Sequence, residues 1–281
     1  MDRAVQRERA ERFRRLHAGP DVLVVGSAWD AGSAVVFERA GFAAIATSSA
    51  GVAFSLGYPD GERVPRDELV ASIARIVRAT SLPVSADVET GYGRTPREVS
   101  DTCRAVLEAG AIGVNLEDTT GDADAPLVAP DLQAEKIRAV RAMADAFGVP
   151  LVVNARTDVY WLGIGDPAAR FAEAVRRTNL YRAAGADCLF VPGLLDRDTI
   201  ARLVAAIEGP LNVLAGKGMP SVPGLGALGV RRVSQGSGPA RAALAVVERV
   251  ARELRSTGTY AAYTEDTVSY ADANRLFDRT R

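Results

Sequence analysis

The feature that most narrows the fold is a repeat of form: a short Val/Ile/Leu-rich run, a polar run end, then a longer helical pattern, recurring along the whole chain. Apolar runs of this kind are those of parallel strands covered on both faces, and parallel neighbours must be joined by a crossover helix. The runs expected as strands are 22–25, 43–46, 83–87, 113–117, 151–156, 188–191, 211–214 and 232–234. The helices expected to follow them are 32–40, 66–79, 96–109, 132–147, 167–184, 197–207, a short Gly/Pro-broken one near 225–228, and 239–255; the second strand and its helix are separated by a long loop. Several end in Gly just past the last periodic residue (Gly41, Gly110, Gly185, Gly229), the position where a left-handed residue closes a helix.

Eight strand–helix units over about 250 residues match an α/β fold of the (β/α)8, TIM-type barrel. A doubly wound sheet would stop at about five or six strands and carry a Gly-rich phosphate turn after the first, which is missing here. No linker divides the chain, so the expectation is one barrel domain over 1–281: an N-terminal helix within 1–19, the barrel within 20–255, and a helical tail over 256–281. The tail carries Tyr260, Tyr263, Tyr270, Leu276 and Phe277, which need burial against the chain's own barrel or against a partner subunit.

Composition removes whole classes of function. Of 281 residues, 34 are Lys or Arg and 35 Asp or Glu, a net charge of −1 that recruits neither nucleic acid nor an anionic membrane. No stretch approaches the ~20 apolar residues of a membrane span, and residues 2–17 lack the apolar core of a secretory signal. A cytoplasmic protein with a small-molecule partner is expected. His17 is the only histidine, Cys103 and Cys188 the only cysteines, Lys136 and Lys217 the only lysines. A Ser-His-Asp triad, a His-rich zinc site and a CxxC redox pair are therefore beyond one subunit's means. Cys103 and Cys188 read as small buried residues, and His17 as a helix C-terminal cation.

In such a barrel the site lies at the C-terminal ends of the strands. Here those ends are acidic: Asp87 and Glu89 after the third run, Glu117 and Asp118 after the fourth, Arg156 and Asp158 after the fifth, with Asp60 beyond the second. Carboxylates converging on one mouth repel one another unless a cation holds them, and oxygen ligands suit Mg2+, with Mn2+ an acceptable substitute, better than zinc. Asp87, Glu89 and Glu117 are the candidate ligands; the competing reading pairs these carboxylates with the chain's many arginines. Arg156, closing an apolar run after Asn154, needs an anionic partner, either a substrate carboxylate or Asp158 or Glu117. Ser48, Ser49, Ala50 and Gly51 could offer successive amides to an anion. Trp29 and Asp30 could form pocket wall or simply pack.

These run ends resemble the phosphoenolpyruvate mutase/isocitrate lyase superfamily. Asp87-Val-Glu89-Thr-Gly91-Tyr92-Gly93 is similar to its D-x-D/E-x-G-Y-G element, Leu116-Glu117-Asp118 to its L-E-D element, Ala155-Arg156-Thr157-Asp158 to its A-R-T-D strand end, and Tyr181 to Asp187 to its Y-x-x-A-G-A-D helix exit. The resemblance runs from residues 28–30 to the last barrel helix. It implies Mg2+ on Asp87, Glu89 and Glu117, an α-keto-acid carboxylate on Ser48, Ser49 and Ala50, and Asp60 and Arg156 along the pocket. It further implies cleavage of a C–C or P–C bond through a pyruvate enolate, and a last helix swapped between subunits of a homodimer or homotetramer.

The loop after Asp118 departs from the pattern, reading Thr119-Thr-Gly-Asp122-Ala-Asp124-Ala-Pro126-Leu127 where the lyases carry K-[KR]-C-G-H and the mutases and the phosphonopyruvate hydrolase keep a Lys. A Mg-dependent carbon–carbon lyase or decarboxylase of a small 2-oxo or 2-hydroxy di- or tricarboxylate is therefore expected, with Asp122, Asp124, Tyr92, Tyr58 or water returning the proton. The alternatives are P–C chemistry on a phosphonopyruvate-like substrate, a non-catalytic carboxylate binder, and a Schiff-base aldolase built on Lys217.

Overall fold

A computed structural model describes residues 2–265 and 267–278. Its strands are β1 (Leu23–Val24), β2 (Gly26–Ala28), β3 (Ile45–Thr47), β4 (Val84–Asp87), β5 (Gly113–Glu117), β6 (Val152–Arg156), β7 (Cys188–Phe190), β8 (Leu211–Leu214) and β9 (Arg232–Ser234). All pair in parallel, in the order β1-β9-β8-β7-β6-β5-β4-β3-β2. The run expected as the first strand, 22–25, holds only β1; a second segment, β2, follows directly beyond it. At Val25 the chain changes partner: Val25 N–H still bonds Val233 O at 3.0 Å, whereas Gly26 N–H bonds Ala44 O at 3.0 Å. This single run closes the ring by serving both of its edges, which a periodicity argument cannot anticipate.

The helices are α1 (Arg3–Ala18), α2 (Ala31–Arg39), α3 (Ser49–Leu56), α4 (Arg66–Ala79), α5 (Pro96–Glu108), α6 (Pro130–Phe147), α7 (Pro167–Ala183), α8 (Arg197–Ala206), α9 (Val222–Ala227), α10 (Gly238–Ser256), α11 (Ala261–Thr264) and α12 (Tyr270–Phe277). The architecture is the expected barrel. α2 starts at a capping box between Asp30 and Ser33, and α5 at one between Thr95 and Glu98. Asp30 is therefore a helix cap and Trp29 packs its Cβ against Gly51, so neither builds the pocket wall. The long loop expected after the second strand is in part α3, begun by Ser48, whose Oγ accepts Gly51 N–H at 3.2 Å.

The core fills the interface between strands and helices with Ile45, Ile73, Leu107, Leu116, Ile137 and Leu151, all buried. α1 lies where Phe13 contacts Gly113 of β5. His17, expected as a cation, is instead buried: its pKa falls to about 4 through burial and the neighbouring Arg232, so the ring is neutral at pH 7. Cys103 and Cys188 are fully buried, as expected, and burial pushes both thiols up to about 12. Lys217 lies exposed on a turn far from the desolvated setting a Schiff-base lysine requires. Among the described residues no helix is long and apolar enough to cross a membrane.

Candidate active site at the barrel mouth

The strand ends carry the site because register puts their polar residues side by side. Asp87 pairs with Asn115, Asn115 with Asn154, and Glu117 with Arg156 across β4, β5 and β6. A chain of hydrogen bonds follows the same path: Asn115 Nδ2 donates to Asp87 Oδ1 at 2.9 Å, and Asn154 Nδ2 to Asn115 Oδ1 at 3.0 Å. Asn154 Oδ1 is buried without a partner. The turn after β4 is shaped by glycine. Gly91 has φ +96°, and a Cβ there would come within 2.6 Å of Val99; one on Gly93 would come within 2.3 Å of Glu98. Only glycine lets this turn press against the start of α5.

α3 aims its N-terminus at the same place. Ser49 gives its N–H to Asp87 Oδ2 at 3.2 Å and its hydroxyl to the same oxygen at 2.8 Å. The cradle expected as a loop nest is therefore a helix N-terminus, and the structure shows it holding a carboxylate. Arg156 forms a bidentate pair with Asp158, Nε–Oδ1 at 2.6 Å and Nη2–Oδ2 at 3.0 Å, and reaches Glu117 Oε2 through Nη1 at 2.8 Å. The structural partners weighed for Arg156 are thus the ones it has.

Two adjoining recesses open here. The first, about 130 Å3, is lined by Ser48, Ser49, Ala50, Asp60, Asp87, Asn154 and Arg156, with Arg232 at its wall. The second, about 140 Å3, is lined by Ser49, Asp60, Glu89, Glu117, Arg156 and Asp158. Most of the expected site residues therefore meet. Gly51 stands back from both, one turn into α3. Tyr92 and Asp122 line a separate outer groove that also holds Lys136, but the Tyr92 hydroxyl is buried with Glu89 beside it; Asp122 is exposed on the 119–128 loop, which Thr119 and Leu127 close as a short antiparallel bridge.

Charge is out of balance at the mouth. Burial, then Asp87, raises Glu89 to about 8. Burial raises Glu117 well above its ordinary value against the pull of Arg156, and burial with Asp87 raises Asp60. Burial also raises Asp158 despite Arg156. Burial works against the Arg156 cation, but Glu117 and Asp158 hold it firmly charged. Five carboxylates crowd against Arg156, with Arg232 at the wall of the first recess, and hard oxygen donors in this excess over cations suit a divalent cation. Among the described residues no three such side chains stand in ready ligand geometry. Each also meets a protein donor through one oxygen: Asp87 meets Ser49, Glu89 the Glu62 amide, and Glu117 Arg156.

Sequence reasoning missed Glu62, whose N–H holds Glu89 Oε2 at 2.6 Å, because nothing local marks a residue two positions after Asp60. It also gave no role to Asp118. That side chain is fully buried, and it accepts Asp158 N–H at 2.9 Å, Arg177 Nη1 at 3.0 Å and Tyr181 Oη–H at 2.7 Å.

A closed parallel sheet whose C-terminal mouth gathers carboxylates, an arginine and a helix N-terminus defines a TIM-type barrel with its polar cluster at that mouth. More particularly, residues 13–255 match the Phosphoenolpyruvate phosphomutase family, and the chain belongs to it, within the phosphoenolpyruvate mutase/isocitrate lyase superfamily. The chain is 31% identical to the 2-methylisocitrate lyase of Halalkalibacterium halodurans, covering 96% of this chain and 93% of that one. It is 33% identical to the oxaloacetate decarboxylase of a Bradyrhizobium species, covering 89% and 86%. Among solved structures, a candidate lyase/mutase of Burkholderia cenocepacia superposes with a TM-score of 0.92 at 43% identity, covering 99% and 98%. A phosphonopyruvate hydrolase in complex with oxalate and Mg2+ superposes at 0.84 with 26% identity, covering 95% and 94%.

Proposed function

We propose that this chain is a divalent-metal-dependent carbon–carbon lyase or decarboxylase of small 2-oxo or 2-hydroxy di- or tricarboxylates, working through a pyruvate-type enolate. The observation that carries the reading is the meeting of the α3 N-terminus with five carboxylates and Arg156 around two joined recesses. The names of two relatives, a 2-methylisocitrate lyase and an oxaloacetate decarboxylase, support the same class.

The substrate's 2-oxo-carboxylate would sit on the α3 N-terminus, at Ser48, Ser49 and Ala50, where the helix dipole and amides favour an anion. Asp87, Glu89 and Glu117 would hold Mg2+, or Mn2+ in its place, which supplies Lewis-acid stabilisation of negative charge on the reacting oxygens when bound. Arg156 keeps its charge through Glu117 and Asp158 and lines both recesses, where it would meet anionic groups of the substrate. Asn154 offers its amide beside it, anchored on Asn115.

Asp60 lines both recesses and holds a proton more readily than an exposed Asp, because burial and Asp87 raise its pKa. It is the carboxylate placed to return a proton. Tyr92 stays protonated, since burial and Glu89 raise its pKa, and its hydroxyl is buried beside Glu89. With no Cys, His or Lys in the 119–128 loop, decarboxylation, in which Asp60 or water can deliver the proton, fits the site best.

The test is pyruvate release from oxaloacetate, 2-methylisocitrate and phosphonopyruvate with Mg2+, by the native chain and by Glu117→Gln. Release by the native protein, reduced about 100-fold or more in the variant, is the expected result. No release from any of them would leave the non-catalytic carboxylate binder in its place, and equal rates in both proteins would remove Glu117 from the site.

A further inference from the structure

Among the described residues, the non-glycine residues with positive φ are Glu62 at 54°, Glu89 at 52° and Tyr92 at 53°. Side chains rarely adopt this conformation, and it persists where surrounding contacts over-determine it. The three belong to one knot. Glu62 N–H donates to Glu89 Oε2 at 2.6 Å. In return, Glu62 Oε1 accepts Thr90 N–H at 3.0 Å, the Thr90 hydroxyl at 2.5 Å and Tyr92 N–H at 3.0 Å. The loop that carries Asp60 and the turn that carries Glu89 are thus clasped in both directions, one through a main-chain donor and the other through a side-chain acceptor. Glu89 N–H also leans toward Asp87 Oδ1 at 3.4 Å, and Glu89 O accepts Glu117 N–H at 2.9 Å, so the clasp reaches all three proposed ligand positions.

We propose that Glu62 is a positioning residue of the mouth: its carboxylate fixes the 90–92 turn, and its amide holds Glu89 where that side chain can join Asp87 and Glu117 around a divalent cation. The length of Glu89 is part of the device, because it spans the gap to the Glu62 amide. What the turn needs from Glu62 is an oxygen at the right reach, accepting three donors; the charge is secondary. The inference rests on the reading of Asp87, Glu89 and Glu117 as a cation site.

The test is titration with Mn2+ alone, followed by the loss of the free-ion electron paramagnetic resonance signal, with no substrate present. Glu62→Gln keeps the accepting oxygen at full reach and should bind within about threefold of the native protein. Glu62→Ala loses the acceptor and Glu62→Asp shortens it, and each should weaken Mn2+ binding by about tenfold or more, the usual size of a supporting-contact loss. Thr90→Val, which removes the hydroxyl donor and leaves Glu62 in place, should weaken it to a smaller degree, and it carries the test should Glu62→Ala fail to fold. Native affinity in both Glu62→Ala and Thr90→Val would overturn the inference. Loss in Glu62→Gln as large as in Glu62→Ala would also overturn it, assigning Glu62 a role through charge alone. Native protein that binds no Mn2+ would instead overturn the cation-site reading beneath it, a result visible before any variant is made.

Discussion

His17 sits at the end of α1, where an exposed imidazolium would meet the negative end of a helix dipole, but burial removes it from that role. Its Nδ1–H reaches Phe13 O at 2.8 Å and its Nε2 accepts from Arg232 Nη1 at 3.3 Å, so both partners ask for the neutral ring. The folded pKa of about 4 lies below the ordinary 6.5. The unfolded chain therefore binds more protons between these values, and stability rises with pH across the window. The contribution is fully present above pH 6.5 and is lost as pH falls through 4; a shift of this size corresponds to about 3 kcal/mol. Thermal unfolding followed from pH 4 to pH 7 should show Tm climbing with pH, and His17→Gln should flatten that climb. An equal slope in both proteins would contradict a buried neutral His17. Other single residues were half legible. Arg156 announced its need for an anion by closing an apolar strand, with Asp158 and Glu117 among the partners weighed; that it takes both at once emerges only from the fold. Tyr181 and Asp118, recognisable in sequence as motif members, meet in space as a buried hydrogen-bonded pair.

At the scale of elements, strands and crossover helices were readable because apolar runs and amphipathic periods are local signals. α3 was not, since its Ser-Ala-Gly-rich start carries little periodicity and its N-terminus is set by what it faces. The second segment, β2, directly after the expected first strand was likewise hidden, because the partner change at Val25 depends on ring closure. α10 poses a different case. Leu244, Val247 and Leu254 lie at helical spacing, and they are 51%, 63% and 42% exposed, while Ala240 is the buried residue of that helix. Tyr260, Tyr263, Tyr270 and Phe277 of the tail are exposed too; the last residues of the tail, 279–281, and residue 266 lie outside the described residues. An apolar stripe of this length rarely stays in water. We propose that it packs on a second copy of the chain. Sedimentation equilibrium should give a dimer or tetramer, and Val247→Glu should shift it toward monomer; a monomeric native protein would refute this.

For the whole molecule, a parallel barrel explains why residues far apart in sequence, Asp60, Asp87, Glu117 and Arg156, share one mouth: strand ends converge, and helices cover everything else. The acidic excess there was legible from the run ends alone. The placing of Asp122 on an outer groove was not, because loop direction is decided by glycine turns and by contacts such as the Glu62 clasp. Whether this mouth holds an enolate is decided by calorimetric titration with oxalate, a planar mimic of pyruvate enolate, with Mg2+ and again with Mg2+ removed by chelation. Tight binding that requires Mg2+ is the predicted result. Absence of binding under both conditions would contradict an enolate site at this mouth.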